Sequence, residues 1–207
     1  GDEKINVGKV MIDGKENAVI NKLVPGIVDG LFKPNIYGLV PCNNRNPKLD
    51  NYNCNEKDPG KKDFRKSYVK GEDVLDANIT DNGDGTITMV IQPKAAEMSM
   101  RGEDSQGDFF EVLGDISATV AQIDVISFAQ GTAEDNIKVT YKGGTVTCTI
   151  NTKTKEITKA EYDMVAEVAV NHANVAVIKD KSASLLIKYK NTFPASDEAT
   201  MKARQFK

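Results

Sequence analysis

The stretch Thr158-Lys-Ala-Glu-Tyr-Asp-Met-Val-Ala-Glu-Val-Ala-Val170 alternates with a period of two along its whole length. Thr158, Ala160, Tyr162, Met164, Ala166, Val168 and Val170 fall on one side, and Lys159, Glu161, Asp163, Val165, Glu167 and Ala169 on the other. Successive residues of a strand point to opposite faces, whereas a helix would mix the two sets. The stretch therefore predicts a long strand with one buried face, and a strand of that length needs long neighbours to satisfy its backbone.

Such neighbours are found on both sides. Upstream, Ile137 to Tyr141 alternates, Gly143-Gly144 reads as a turn, and Val146, Cys148 and Ile150 alternate with threonines. A turn at Asn151 to Glu156 leads into the long strand. Downstream, Ala183, Leu185, Ile187 and Tyr189 alternate up to Phe193-Pro194. A separate hairpin is predicted from Val74 to Thr80 and from Thr86 to Gln92, because Asn82-Gly83 and Asp84-Gly85 supply the positive φ angles of tight turns.

Two stretches carry helical spacing instead. Val19, Ile20, Leu23, Val24, Ile27, Val28 and Leu31 form one stripe, with Pro25 inside it as the expected start or kink of a helix. Phe109, Val112, Leu113, Ile116, Val120 and Ile123 form the second, weakened by Gly114. Between the hairpin and this second stripe, AEMSMRGEDSQG reads as a mobile connection. The expected fold is α+β: a long, twisted, half-barrel-like antiparallel sheet with one face covered by two amphipathic helices, in a single domain over residues 1–207.

Residues 33–62 form the least regular region, and five of the seven prolines lie in or beside it. A loop of that length within one domain is functional, disordered or stapled. Within it, CNNRNPKLDNYNC runs from Cys42 to Cys54. No histidine or third cysteine lies nearby to complete a metal site, so a Cys42–Cys54 disulfide is expected, stabilising by roughly 3 kcal/mol in the chain-entropy model. Cys148 is then left as a core-facing thiol. A disulfide points to an oxidising compartment, and Arg45, Lys48, Asp50 and Tyr52 become the expected surface for a protein partner.

Composition narrows the function classes. With 207 residues, 40% hydrophobic and 28% charged, the chain can bury an ordinary core. A net charge of −3, with both signs interspersed, gives no field for a polyanion, so nucleic acid is not an expected partner. No apolar run approaches the roughly 20 residues that span a bilayer. Aromatic residues are only 6% and Trp is absent, which disfavours sugar-stacking or quaternary-amine platforms. The start at Gly1-Asp2-Glu3 reads as a trimmed one, so a missing leader peptide is not taken as a sign of the cytoplasm.

Catalytic and metal chemistry find little to use. His172, the one histidine, sits in a turn-like Asn-His-Ala-Asn without a nucleophile motif beside it. Cys42, Cys54, Cys148 and His172 lack the paired short spacings of a zinc site. Asp81-Asn-Gly-Asp-Gly-Thr86 has a calcium-loop look, but its third position is Gly83 and its twelfth Gln92 where oxygen ligands are needed. No glycine-rich phosphate loop opens a helix. Glu103, Asp104, Asp108 and Glu111 are read as capping and solvating the second helix, and Asn78-Ile79-Thr80 is a glycosylation triplet in form alone. No cofactor, metal or catalytic residue is assigned, and an enzyme is not expected. A surface of small and flexible residues around Tyr162, Met164 and Val168, facing Leu23, Ile27 and Leu31, could hold a hydrophobic ligand; the competing expectation is that the helices fill that space.

The order of these elements, with Tyr141-Lys-Gly-Gly-Thr-Val-Thr-Cys-Thr-Ile-Asn-Thr-Lys-Thr-Lys-Glu-Ile-Thr-Lys-Ala-Glu-Tyr162, resembles uncharacterised secreted lipoproteins of Gram-positive bacteria. A strand, an N-x-K-T-x-x-[IL]-T-x turn and a second long strand recur in them, here at Asn151 to Lys159, and the resemblance covers roughly residues 70–194. It implies export and tethering through a lipidated cysteine upstream, and brings no site residues. The architecture is also similar to the half-barrels of bacterial lipoprotein and lipid carriers. The leading expectation is an exported, membrane-tethered, non-enzymatic binding or structural domain. Its alternatives are a carrier of a hydrophobic ligand between sheet and helices, and an unrecognised cell-wall hydrolase.

Overall fold

The computed structural model describes residues 2–29, 69–100, 103–110, 112–113, 116–175 and 177–193, and for Asp2, Glu3, Leu23 and residues 25–29 the backbone alone. Cys42, Cys54, Arg45, Lys48, Asp50, Tyr52 and the whole expected loop at 33–62 lie outside the described residues, as does Leu31.

Three long strands dominate: β8 (Ile137–Asn151), β9 (Ile157–Val175) and β10 (Ile178–Phe193). The remaining strands are β1 (Asp2–Val7), β2 (Met11–Ile12), β3 (Lys15–Glu16), β4 (Val74–Asp81), β5 (Thr86–Pro93), β6 (Ala96–Glu97) and β7 (Ile126–Phe128). All ten described strands join one antiparallel sheet of order β3-β2-β10-β9-β8-β5-β4, with β1 beside β10, β6 beside β8 and β7 beside β9. Its two ends, β3 and β4, do not meet.

The alternation that predicts β9 is what places the core. Ala160, Tyr162, Met164, Ala166 and Val168 are buried, while Glu161, Asp163, Val165 and Glu167 between them are partly exposed. Antiparallel register aligns the same parity in the neighbours: Val146 opposite Tyr162, Cys148 opposite Ala160, Ile187 opposite Ala166 and Tyr189 opposite Met164. The outer face is polar, and Lys190 Nζ lies 2.8 Å from Glu161 and 3.6 Å from Asp163. At the other edge of β9, Lys142 of β8 pairs with Glu167. Exposed pairs of this kind contribute little to stability; they keep this face solvated.

The hairpin at β4 and β5 forms as its turn chemistry predicts. Asp81 Oδ1 accepts from Gly83 N–H (2.9 Å), Asp84 Oδ1 accepts from Thr86 N–H (2.9 Å) and from its hydroxyl (2.6 Å), and Gly83 and Gly85 have φ of 74° and 84°. At the next turn, Asn151 Oδ1 accepts from Lys153 N–H (2.9 Å) and Thr154 N–H (3.0 Å).

Gly143-Gly144 is not a turn. β8 runs straight through it, and the pairing steps from Tyr141 opposite Ala166 to Gly144 opposite Met164, so one extra residue bulges from β8. The insertion shifts the buried parity from odd (Val139, Tyr141) to even (Val146, Cys148).

The helical expectations are also corrected. α1 (Ala18–Asp29) starts before Pro25 and continues past it. Its start is fixed by Asn17, whose Oδ1 accepts from Val19 and Ile20 N–H at 3.1 Å each, a side-chain cap of the first turn. The second stripe is not one helix. α2 (Ser105–Phe109) and α3 (Ile116–Ala121) are separate, and Phe110 between them is extended. Phe109 and Phe110 are both fully buried. Neighbours 100° apart on a helix cannot both be driven to the centre of one narrow face, so the chain leaves the helix to bury the second ring.

In the connection read as mobile, the described residues 96–100 and 103–107 make specific polar contacts. Asp104 caps α2, its Oδ1 accepting from Gln106 N–H (2.9 Å) and Gly107 N–H (3.0 Å) and from the Ser99 hydroxyl. β6 pairs with β8, and α4 (Ala133–Asn136) follows β7, capped by Thr132 and Asp135.

Candidate functional site

Helices and sheet do not fill all the space between them. A cavity of about 130 Å³ remains, and every side chain lining it is apolar. Val168, Val170, Ala173 and Val175 of β9 and Ala183, Leu185 and Ile187 of β10 form its floor; Leu113, Ile116, Val120 and Ile123, in and around α3, form one wall. Val10, Ile20 and Val24, from the β1–β2 link and α1, form the other, and Ile126 of β7 lies at one end. Its lining side chains offer a water no hydrogen-bond partner, so the space favours apolar occupants.

Each wall is held by a polar contact outside the cavity. Asn21 Oδ1 accepts from Val10 N–H at 2.5 Å, tying α1 to the β1–β2 link. Leu113 N–H donates to the buried Tyr141 Oη at 2.9 Å, tying the α2–α3 connection to β8. Burial raises the Tyr141 pKa above the usual phenol range. The hydroxyl therefore stays neutral and available as the acceptor.

Of the residues expected to contact a ligand, Val168 lines the cavity. Tyr162 and Met164, farther along the same face of β9, are not among the lining residues. The Tyr162 ring meets Phe110 edge-on at 6.2 Å between centroids and Phe193 at 5.9 Å, in a packed aromatic cluster. Leu23 and Ile27 belong to α1, where only the backbone is described, but Ile20 and Val24 of the same stripe do reach the cavity. None of the other lining residues is expected from sequence to contact a ligand: those of the helical stripes and of β10 read as ordinary core positions, and Val10, Ile126 and Val175 are not singled out at all. Ala173 and Val175 are off the even parity that runs to Val170: the pairing with β10 steps by one extra residue between Val170 and Ala173, at His172 with φ 50°, so continuing the alternation would have pointed to His172 and Asn174 instead.

The polar candidates are placed elsewhere. His172 lies within β9 rather than in a loop, at φ 50°, with Nδ1 2.8 Å from Asp180 Oδ1 and 3.4 Å from Gln130 Nε2. No serine or cysteine nucleophile hydrogen-bonds to it among the described residues. Asp104 acts as a helix cap, Glu111 lies outside the described residues, and no group of three or more His, Cys, Asp or Glu forms a metal cluster among those described.

Cys148 is fully buried in β8, and burial pushes its thiol from 9.0 up to about 12. The thiolate is the reactive form. Cys148 is therefore expected to resist iodoacetamide at about pH 8 in native protein and to react once urea unfolds it, as read by mass. The pH dependence follows in sign. The folded state holds the Cys148 proton more tightly than the unfolded chain, so this contribution is complete below pH 9.0 and is lost as pH rises toward about 12.

No described helix is long and apolar enough to cross a membrane. We found no family model that matches the chain, and no curated protein or solved structure similar to it.

Proposed function

We propose that the protein is an exported, non-catalytic domain that binds a hydrophobic ligand between its sheet and its helices. The observation that carries this reading is the wholly apolar cavity under α1 and α3. A domain with no ligand would gain by closing that space, because unfilled apolar volume forfeits dispersion contacts and costs stability in proportion to its size. The sequence resemblance to secreted lipoproteins supports export and tethering through an upstream lipid anchor. The Cys42–Cys54 disulfide belongs to the same proposal. The surface at Arg45, Lys48, Asp50 and Tyr52 remains its proposed contact with a protein partner.

Native mass spectrometry of protein purified from its own host, before and after organic extraction, tests the reading. A mass excess that extraction removes is expected. The same spectra, taken denatured but unreduced, are expected to show the loss of two hydrogens from a Cys42–Cys54 bond; two free thiols would count against export.

A further inference from the structure

We infer that the cavity takes a single alkyl chain or a single hydrocarbon ring, with any polar head left in water. The inference rests on the binding reading above and narrows it to a ligand class. At about 130 Å³ the cavity falls well short of the 300–1,000 Å³ typical of pockets that enclose drug-sized ligands. It is close to the roughly 150 Å³ apolar cavities that accept benzene or xenon. A space of that size encloses one ring or a short length of one alkyl chain, not a full acyl chain. No lining side chain carries a hydrogen-bonding or charged group, so a headgroup drawn inside would lose its hydration without replacement.

The cavity is not sealed: Ile116, Val168 and Ile187 are buried, whereas Ile123, Ile126 and Val175 at the β7 end, and Val24 and Leu185 elsewhere, are half-buried, so the outer end of a bound chain can stay in contact with water.

The test titrates the full protein with 1-octanol, with a single-chain lysophosphatidylcholine and with vesicles of a diacyl phosphatidylcholine, followed by methyl NMR. Octanol and the lysolipid are expected to shift the methyls of Ile116, Val120, Val168 and Ile187, while the diacyl vesicles leave them unmoved. Ala183→Leu and Ala173→Leu, each adding volume from the floor, are expected to weaken binding at least about tenfold while keeping a folded spectrum. Using both guards against one of them failing to fold. Diacyl lipid moving the deep methyls, or single-chain binding unaffected by both filling variants, would overturn the inference and leave the broader reading standing. If none of the three probes moves those methyls, both fall.

Discussion

Gly144→Ala is expected to lower stability by on the order of 3 to 5 kcal/mol, a large part of the 5–15 kcal/mol that holds an ordinary domain folded. Two effects add. Gly144 has φ 141°, a conformation that side-chain-bearing residues rarely adopt. A Cβ there would also run into the Asp163 carbonyl oxygen and sit 2.9 Å from Phe110 Cζ and 3.2 Å from Met164 Cα. Two of those three atoms belong to the β9 backbone, which cannot yield without breaking its pairing with β8. Gly83→Ala is the control: φ is 74°, but no atom lies within 4 Å of the added Cβ. It should cost only the left-handed penalty of about 1–2 kcal/mol. Urea unfolding midpoints of the two variants check this, and equal shifts would mean that the bulge does not hold the close approach described.

Phe110→Ala is expected to cost about 3–5 kcal/mol, as truncation of a fully buried aromatic does. Phe110 stands at the centre of the aromatic cluster, 6.5 Å from Phe109 and 6.2 Å from Tyr162 between ring centroids. Its loss would leave Gly144 facing a void and remove the reason for the chain to leave the helix after Phe109. Phe110→Leu should cost under about 1.5 kcal/mol if it repacks. Because the Phe110 ring is one of the atoms obstructing a Cβ at Gly144, the two alanine substitutions together should cost less than their sum. The rescue should be partial, since the Asp163 carbonyl remains. Full additivity in urea unfolding would show that the two sites do not touch.

What the sequence made legible follows from how local each signal is. The β9 alternation and the turns at Asp81–Thr86 and Asn151–Glu156 depend on residues next to one another, and they appear where expected. Gly143-Gly144 misled because two glycines serve a bulge as well as a turn. The distinguishing sign was the parity change between Tyr141 and Val146, which an inserted residue produces without reversing the strand. The second helical stripe failed at Phe109-Phe110, where burial of two adjacent rings outweighed periodicity. β1, β2 and β3 carry little apolar patterning of their own; β1 and β2 form because β10 offers them an edge, and β3 pairs in turn with β2. The cavity was the least legible feature. Whether Tyr162, Met164 and Val168 fill space or border it depends on where α1, α2 and α3 rest, and no spacing within β9 encodes that.

The central claim, that the apolar space under α1 and α3 holds a hydrophobic ligand, is tested most directly by native mass spectrometry of host-purified protein beside its Ala183→Leu variant. The account predicts a mass excess equal to one single-chain or single-ring hydrophobic compound, removable by organic extraction and missing from the variant. A bare polypeptide mass for both proteins, each with its fold intact and prepared without extraction, would contradict it.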